Sequence, residues 1–137
     1  MTDTTGSCLC GTIKYSFQGA PVMTGVCHCR DCQKQTGTSF SIIQGVPLPA
    51  LTVTGTPKVI TTRGVSGGAV KRHFCGDCGS PLYSLVEEVP GLAFLKAGTL
   101  DDVSRLAPQA QLWCSTAQPW LTLDPALPRF EQNPPRA

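Results

Sequence analysis

The sequence predicts a mainly β, single-domain protein, and three observations carry that expectation. Short segments alternate apolar and polar residues at a period of two and are broken by glycine and proline. Only one stretch in the first half, Arg30 to Thr36, reads as a helix, about two turns long with Gly37 in place to close it. Seven of the eight cysteines fall into three tight groups, Cys8/Cys10, Cys27/Cys29/Cys32 and Cys75/Cys78, the local spacing of metal ligands rather than of a disulfide framework.

Length and charge bound the function. A chain of 137 residues is one domain able to bury roughly 70% of its unfolded surface. The expected limits are one zinc-binding domain over 1–137, with a core at about 6–120 and a Pro-rich C-terminal tail at 121–137. A net charge of +2 with scattered basic residues gives no electrostatic footprint for nucleic acid. No apolar run approaches the roughly 20 residues of a membrane span. Residues 1–6 have neither the basic nor the apolar region of a signal peptide, so a cytoplasmic location is expected.

Taken in order, Gly6 and Gly11 flank Cys8-Leu9-Cys10 and let the backbone turn tightly around an ion. Ile13, Tyr15 and Phe17 then alternate with Lys14 and Ser16 as a half-buried strand. Residues 21–26 are expected to run extended into the central cysteines. In the helix that follows, Cys29 and Cys32 lie three apart beside the opening turn, whose unpaired N–H groups favour thiolate over thiol. Phe40 and Ile42 alternate with Ser39 and Ser41, and Leu51 and Val53 with Thr52 and Thr54. Gly55-Thr56-Pro57 is expected to fold residues 58–62 back as a hairpin, and Gly64 to Gly68 to form a flexible loop. Val70, Arg72 and Phe74 run as a strand into the knuckle Cys75-Gly76-Asp77-Cys78-Gly79, and Leu82 to Leu85 leave it as the second arm. Leu92 to Leu95 reads as a fully buried strand. Asp101 is expected to cap a short helical turn through Leu106. Prolines 119, 125, 128, 134 and 135 exclude regular structure from the tail.

Cysteines two apart are awkward to bridge in disulfide geometry but easily share a metal. Redox disulfides and simply buried thiols are the competing readings, and buried apolar packing is the expectation for the solitary Cys114. Joining Cys8 and Cys10 to Cys75 and Cys78 gives a closed, four-thiolate structural site, leaving Cys27, Cys29 and Cys32 with one open coordination position. The other pairing, with the knuckle capped by two of the central trio, strands ligands elsewhere. His28 lies between two ligands and should point away from them in an extended backbone. For both His28 and His73 a surface or hydrogen-bonded ring is expected. Three thiolates around zinc leave a charge of −1, which a nearby Arg30 or Lys34 would balance; Asp31 and Lys34 otherwise form a solvated helix face.

Gly6-x-Cys8-x-Cys10-Gly11-x-Ile13-x-Tyr15, Cys27-His28-Cys29-x-x-Cys32-x-Lys34-x-x-Gly37, Phe74-Cys75-x-x-Cys78-Gly79, Gly98-Thr99-Leu100-Asp101-Asp102 and Pro119-Trp120 together resemble the glutathione-dependent formaldehyde-activating enzyme family, which also includes centromere protein V. The resemblance implies a β-tent-like fold of twisted antiparallel sheets with short helical turns. It implies two zinc ions per chain, a structural one at Cys8, Cys10, Cys75 and Cys78 and a catalytic one at Cys27, Cys29 and Cys32. The implied activity is that of a carbon–sulfur lyase, reversibly joining glutathione and formaldehyde as S-hydroxymethylglutathione. The chain is shorter than the members that gave the family its name, and Arg63, Lys71 and Arg72, which could meet glutathione's carboxylates, are expected on solvated strand faces. Two other readings stand beside the lyase: a zinc-water hydrolase of a small electrophile such as an imine, and a non-catalytic zinc-binding interaction module. The sequence does not fix the oligomeric state.

Overall fold

Ten strands and one helix make up the chain in the computed structural model, which describes residues 3–134. In order they are β1 (Thr4–Ser7), β2 (Lys14–Phe17), β3 (Met23–Cys27), α1 (Arg30–Thr36), β4 (Ser41–Pro47), β5 (Leu51–Thr54), β6 (Lys58–Arg63), β7 (Ala69–Phe74), β8 (Pro81–Val86), β9 (Leu92–Lys96) and β10 (Ala110–Leu112). Single 3-10 turns occupy Leu48–Ala50, Ala97–Thr99 and Cys114–Thr116. The class is mainly β and the domain is single, as the alternating segments predict.

Two sheets share one core. The small sheet has the order β1-β2-β5, and the large one β10-β3-β4-β9-β8-β7-β6. Every pairing is antiparallel except β10 with β3. The predicted alternation of Ile13, Tyr15 and Phe17 holds: all three are buried, together with Val46, Leu82, Ala93 and Leu95 from the large sheet. Gly6 faces Tyr15 across the β1–β2 pair. A Cβ there would lie 2.3 Å from the tyrosine ring, so this glycine is required by close approach rather than by a turn. The phenol beyond it bonds Thr99 Oγ1 at 2.7 Å.

Four local expectations fail, each for a tertiary reason. Gly55-Thr56-Pro57 makes no hairpin: β5 pairs with β2 in the small sheet and β6 with β7 in the large one. Turn chemistry specified a bend there but not a partner, and the hairpin forms instead across Gly64 to Gly68, where Gly64 N–H donates to Gly68 O at 2.9 Å. Asp101 caps no helical turn, because its carboxylate accepts from Thr5 Oγ1 at 2.7 Å while Asp102 takes the Ser104 N–H and hydroxyl. In β4 the side chain of Ser41 is buried and Ile42 only half so. Strand β9 is present, but Leu92 and Phe94 are half-buried while Ala93 and Leu95 are fully covered.

Strands β1 and β10 were not foreseen; Thr-Thr-Gly-Ser carries no apolar alternation, and three residues are too few to display one. The tail has no helix or long strand among its described residues, but it is tied down. Gln111 N–H donates to Pro128 O, Cys114 N–H to Phe130 O and Ser115 N–H to Glu131 O, at 2.8 to 3.2 Å. Pro135 and the end of the tail lie outside the described residues. No described helix is long and apolar enough to cross a membrane.

Candidate metal centres

The first cysteine group is assembled from chain ends that meet across the fold. Cys8 and Cys10 leave β1, whereas Cys75 and Cys78 form the turn between β7 and β8. Their four sulfurs lie within 4.8 Å of one another; Cys8 to Cys10 is 3.6 Å and Cys10 to Cys75 is 3.8 Å. Zinc–sulfur bonds of about 2.3 Å set the edge of a tetrahedral four-sulfur site at roughly 3.8 Å, so the donor set fits that ion in both number and spacing. Backbone N–H groups turn towards the sulfurs: Ile13 N–H reaches Cys8 Sγ at 3.3 Å and Asp77 N–H reaches Cys75 Sγ at 3.4 Å. Ser80, through its hydroxyl and its N–H, holds the Cys78 thiol down at about 5. Such donors stabilise thiolate, the form that binds metal.

The second group is local. Strand β3 ends at Cys27, Cys29 is the N-cap of α1, and Cys32 stands in the first turn. These three sulfurs also lie within 4.8 Å of one another. Cys29 has extended backbone (φ −62°, ψ 148°), and its sulfur accepts the Cys32 N–H at 3.2 Å, a cap made by sulfur in place of oxygen. At the other end Gly37 adopts the left-handed conformation (φ 68°) and donates its N–H to Gln33 O at 2.8 Å. The helix therefore has the predicted limits, and its N-terminal end carries two of the three sulfurs. Hydrogen bonds from the Cys27 and Cys29 thiols pull the Cys32 thiol down to about 2, with Lys96 and Arg72 adding to the effect. The same bonds, with burial, push the Cys27 thiol up.

The structure supplies the surroundings that sequence reasoning missed. The Lys96 ammonium, at the end of β9 and 6% exposed, lies 3.7 Å from Cys32 Sγ and 3.2 Å from Ser41 Oγ. Arg72, expected on a solvated strand face, is 8% exposed. It donates to Gln35 Oε1 and Thr62 Oγ1 at 3.0 Å each and pairs with Asp31 at 3.7 Å, fastening α1 to β7. Gln33 Nε2 donates to His28 O at 2.7 Å and Thr116 O at 3.0 Å, and Thr116 Oγ1 donates to the same His28 carbonyl. These bonds hold the trio's loop between helix and tail.

Neither histidine joins a cysteine group. His28 is buried, with Nε2 3.0 Å from Gln111 Oε1. His73 stacks on Tyr83 with ring centroids 4.3 Å apart, and burial lowers its pKa. Arg30 and Lys34, the cations expected beside the trio, line an open cleft of about 440 Å³ with Gln118 and Trp120, while the cation in contact with a trio sulfur is Lys96. Cys114 is buried as expected, its sulfur 3.7 Å from Gln111 O.

A family model described as glutathione-dependent formaldehyde-activating enzyme matches residues 3–116. Two fungal proteins provisionally given that name are similar. The one from Phaeosphaeria nodorum is 32% identical over 93 residues, covering 66% of this chain and 48% of its own. The one from Fusarium vanettenii is 28% identical over 81 residues, covering 59% and 43%. The chain therefore spans about half the length of the curated relatives it matches. A crystal structure of a Rhodobacter sphaeroides protein has the same fold, with a TM-score of 0.58 at 20% identity over 74% of this chain and 91% of that one.

Proposed function

We propose, from the premise that this chain belongs to the glutathione-dependent formaldehyde-activating enzyme family, that it is a two-zinc enzyme acting on a small thiol–aldehyde adduct of the S-hydroxymethylglutathione type. Its domain core would run over about residues 6–120, in line with the family match over 3–116, and its setting would be the cytoplasm. Cys8, Cys10, Cys75 and Cys78 would hold the structural ion, and Cys27, Cys29 and Cys32 the catalytic one. The observation that carries the reading is the inequality of the two groups in ligand number: four sulfurs near tetrahedral spacing against three. A zinc ion held by three thiolates would supply a Lewis-acid position at which a thiolate is stabilised near neutral pH or an aldehyde oxygen polarised.

The chain's own residues do the rest. Cys29 and Cys32 are fixed by the first turn of α1. Gln33 and Thr116 lock the intervening carbonyl, and Arg72 anchors the helix to the sheet. The adduct needs only reversible carbon–sulfur bond formation, so a rigid, preorganised centre suffices without a large enclosing lid.

Exchange spectroscopy on carbon-13-labelled formaldehyde and glutathione tests this directly. The zinc-loaded protein should speed interconversion of free aldehyde and adduct above the spontaneous rate, and Cys29→Ser should abolish the increment. A two-zinc protein that leaves the exchange rate at its spontaneous value would remove the lyase reading. Hydrolysis of an imine, independent of thiol, would put a zinc hydrolase in its place, and inertness towards both would leave a binding module.

A further inference from the structure

The strongest unused feature of the molecule is Lys96. It continues a run of apolar residues in β9, lies opposite Ile43 in β4 and is nearly inaccessible. Its side-chain partners are Cys32 Sγ and the Ser41 hydroxyl. An ammonium taken out of water needs a counter-charge or it destabilises the fold. Ser41 offers none, Lys96 makes no ion pair with a carboxylate among the described residues, and Asp31 on the neighbouring helix is paired with Arg72 and is 57% exposed. The anionic partner of Lys96 must therefore be the cysteine group itself.

We propose that Lys96 is a positioning residue whose charge lets the three-thiol centre accept an anionic fourth ligand, a thiolate, in preference to a neutral one. The proposal rests on the reading that this centre holds zinc. A divalent ion with three thiolates carries −1, and Lys96 brings the buried unit to zero. A fourth thiolate then raises the local charge to −1 rather than −2, whereas a neutral ligand changes nothing. At effective dielectric constants suited to protein sites the difference between those cases is at least tenfold in affinity. The class of substrate that follows is a thiol that enters as its anion, and the element that selects it is a lysine on a strand remote in sequence from every ligand.

The test uses cobalt in place of zinc and reads ligand binding by absorption rather than by turnover. Glutathione added to the cobalt protein should produce a new sulfur-to-metal charge-transfer band, and imidazole a shift of the ligand-field bands. Lys96→Met should weaken glutathione binding about tenfold or more while moving imidazole binding less than about twofold, and Lys96→Arg should stay near the wild type. Equal affinity of Lys96→Met and wild type for glutathione would overturn the proposal. So would a parallel loss of both ligands, or an arginine variant that behaves like the methionine one. If Lys96→Met does not fold, Lys96→Gln, which removes the charge but keeps a donor for the Ser41 hydroxyl, takes its place in the same titrations, and unchanged glutathione affinity in that variant equally overturns the proposal. Failure of the underlying reading looks different, since the wild-type spectrum would then respond to no ligand at all.

Discussion

The two cysteine groups use the same ligand atom to opposite ends. One joins Cys10 to Cys75 across 65 positions of sequence and draws the small sheet onto the large one. The other is complete within the turn from β3 into α1. Closing a long loop removes more conformational freedom from the unfolded chain than closing a short one, so on the proposed two-zinc reading the first group would stabilise the fold and the second would be free to do chemistry. Their surroundings differ accordingly. Sulfur in the first is met by backbone N–H groups and Ser80; in the second Cys29 also accepts a backbone N–H, but Cys32 faces the buried Lys96 ammonium.

The sharpest way to break this contrast is substitution of one ligand from each group. Cys75→Ser should abolish cooperative folding, because a structural zinc contributes on the order of 10 kcal/mol, comparable with the roughly 5–15 kcal/mol that holds a whole domain together. Cys29→Ser should leave a folded protein. Circular-dichroism melts of both variants decide the matter, and equal losses would erase the distinction.

Metal removal is the next largest effect. A chelator should release zinc in two steps, first from Cys27, Cys29 and Cys32, whose open position admits an attacking ligand, and much later from the four-thiol group. Elemental analysis after the first step should give about one ion per chain. Release in a single step would mean that the centres are not independent.

Arg72 sharpens the comparison because it belongs to both regions, on the strand that ends at Cys75 and against the helix that carries Cys32. Arg72→Met should cost about 2 kcal/mol through its lost charged hydrogen bonds and should lower metal affinity at the trio while the four-thiol group keeps its ion. Urea titration gives the first quantity and competition with a metal-binding dye the second.

The smallest effect is expected at Tyr15. Burial pushes its phenol up to about 12 from 10, so the folded state holds the proton more tightly than the unfolded chain. Its contribution is complete below pH 10 and fades as pH rises towards 12. Tyr15→Phe should cost about 1 kcal/mol at neutral pH, the worth of its bond to Thr99, and should flatten this part of the alkaline unfolding curve.

Both groups and the helix between them were legible in the sequence because their spacing is local. Cys29 as N-cap and Gly37 as C-cap are decided within the one short segment from 29 to 37. What escaped was whatever depends on strand register. Lys96 reaches the trio only because β9 pairs with β4 and β4 with β3, and no local pattern contains that order. Arg72 did leave a signal, since it alternates with Val70 and Phe74 on one face of a strand. A cation in that position belongs to an inward face and has a partner there. Ser41 carries the same lesson in reverse: its burial contradicts the apolar alternation around it, and the contradiction marks the site.

The parallel pairing of β10 with β3 has a consequence for biosynthesis. Cys27, Cys29 and Cys32 emerge from the ribosome together and can capture an ion at once, whereas Cys75 and Cys78 follow on the order of seconds later. The clamp that finishes the trio's loop, from Leu112 and Thr116 to His28, arrives later still. If the trio takes zinc as proposed, it would first do so as a chelating peptide without this clamp, so other soft metals would compete for it in that interval, and the occupancy of overexpressed protein from metal-rich medium would record that race.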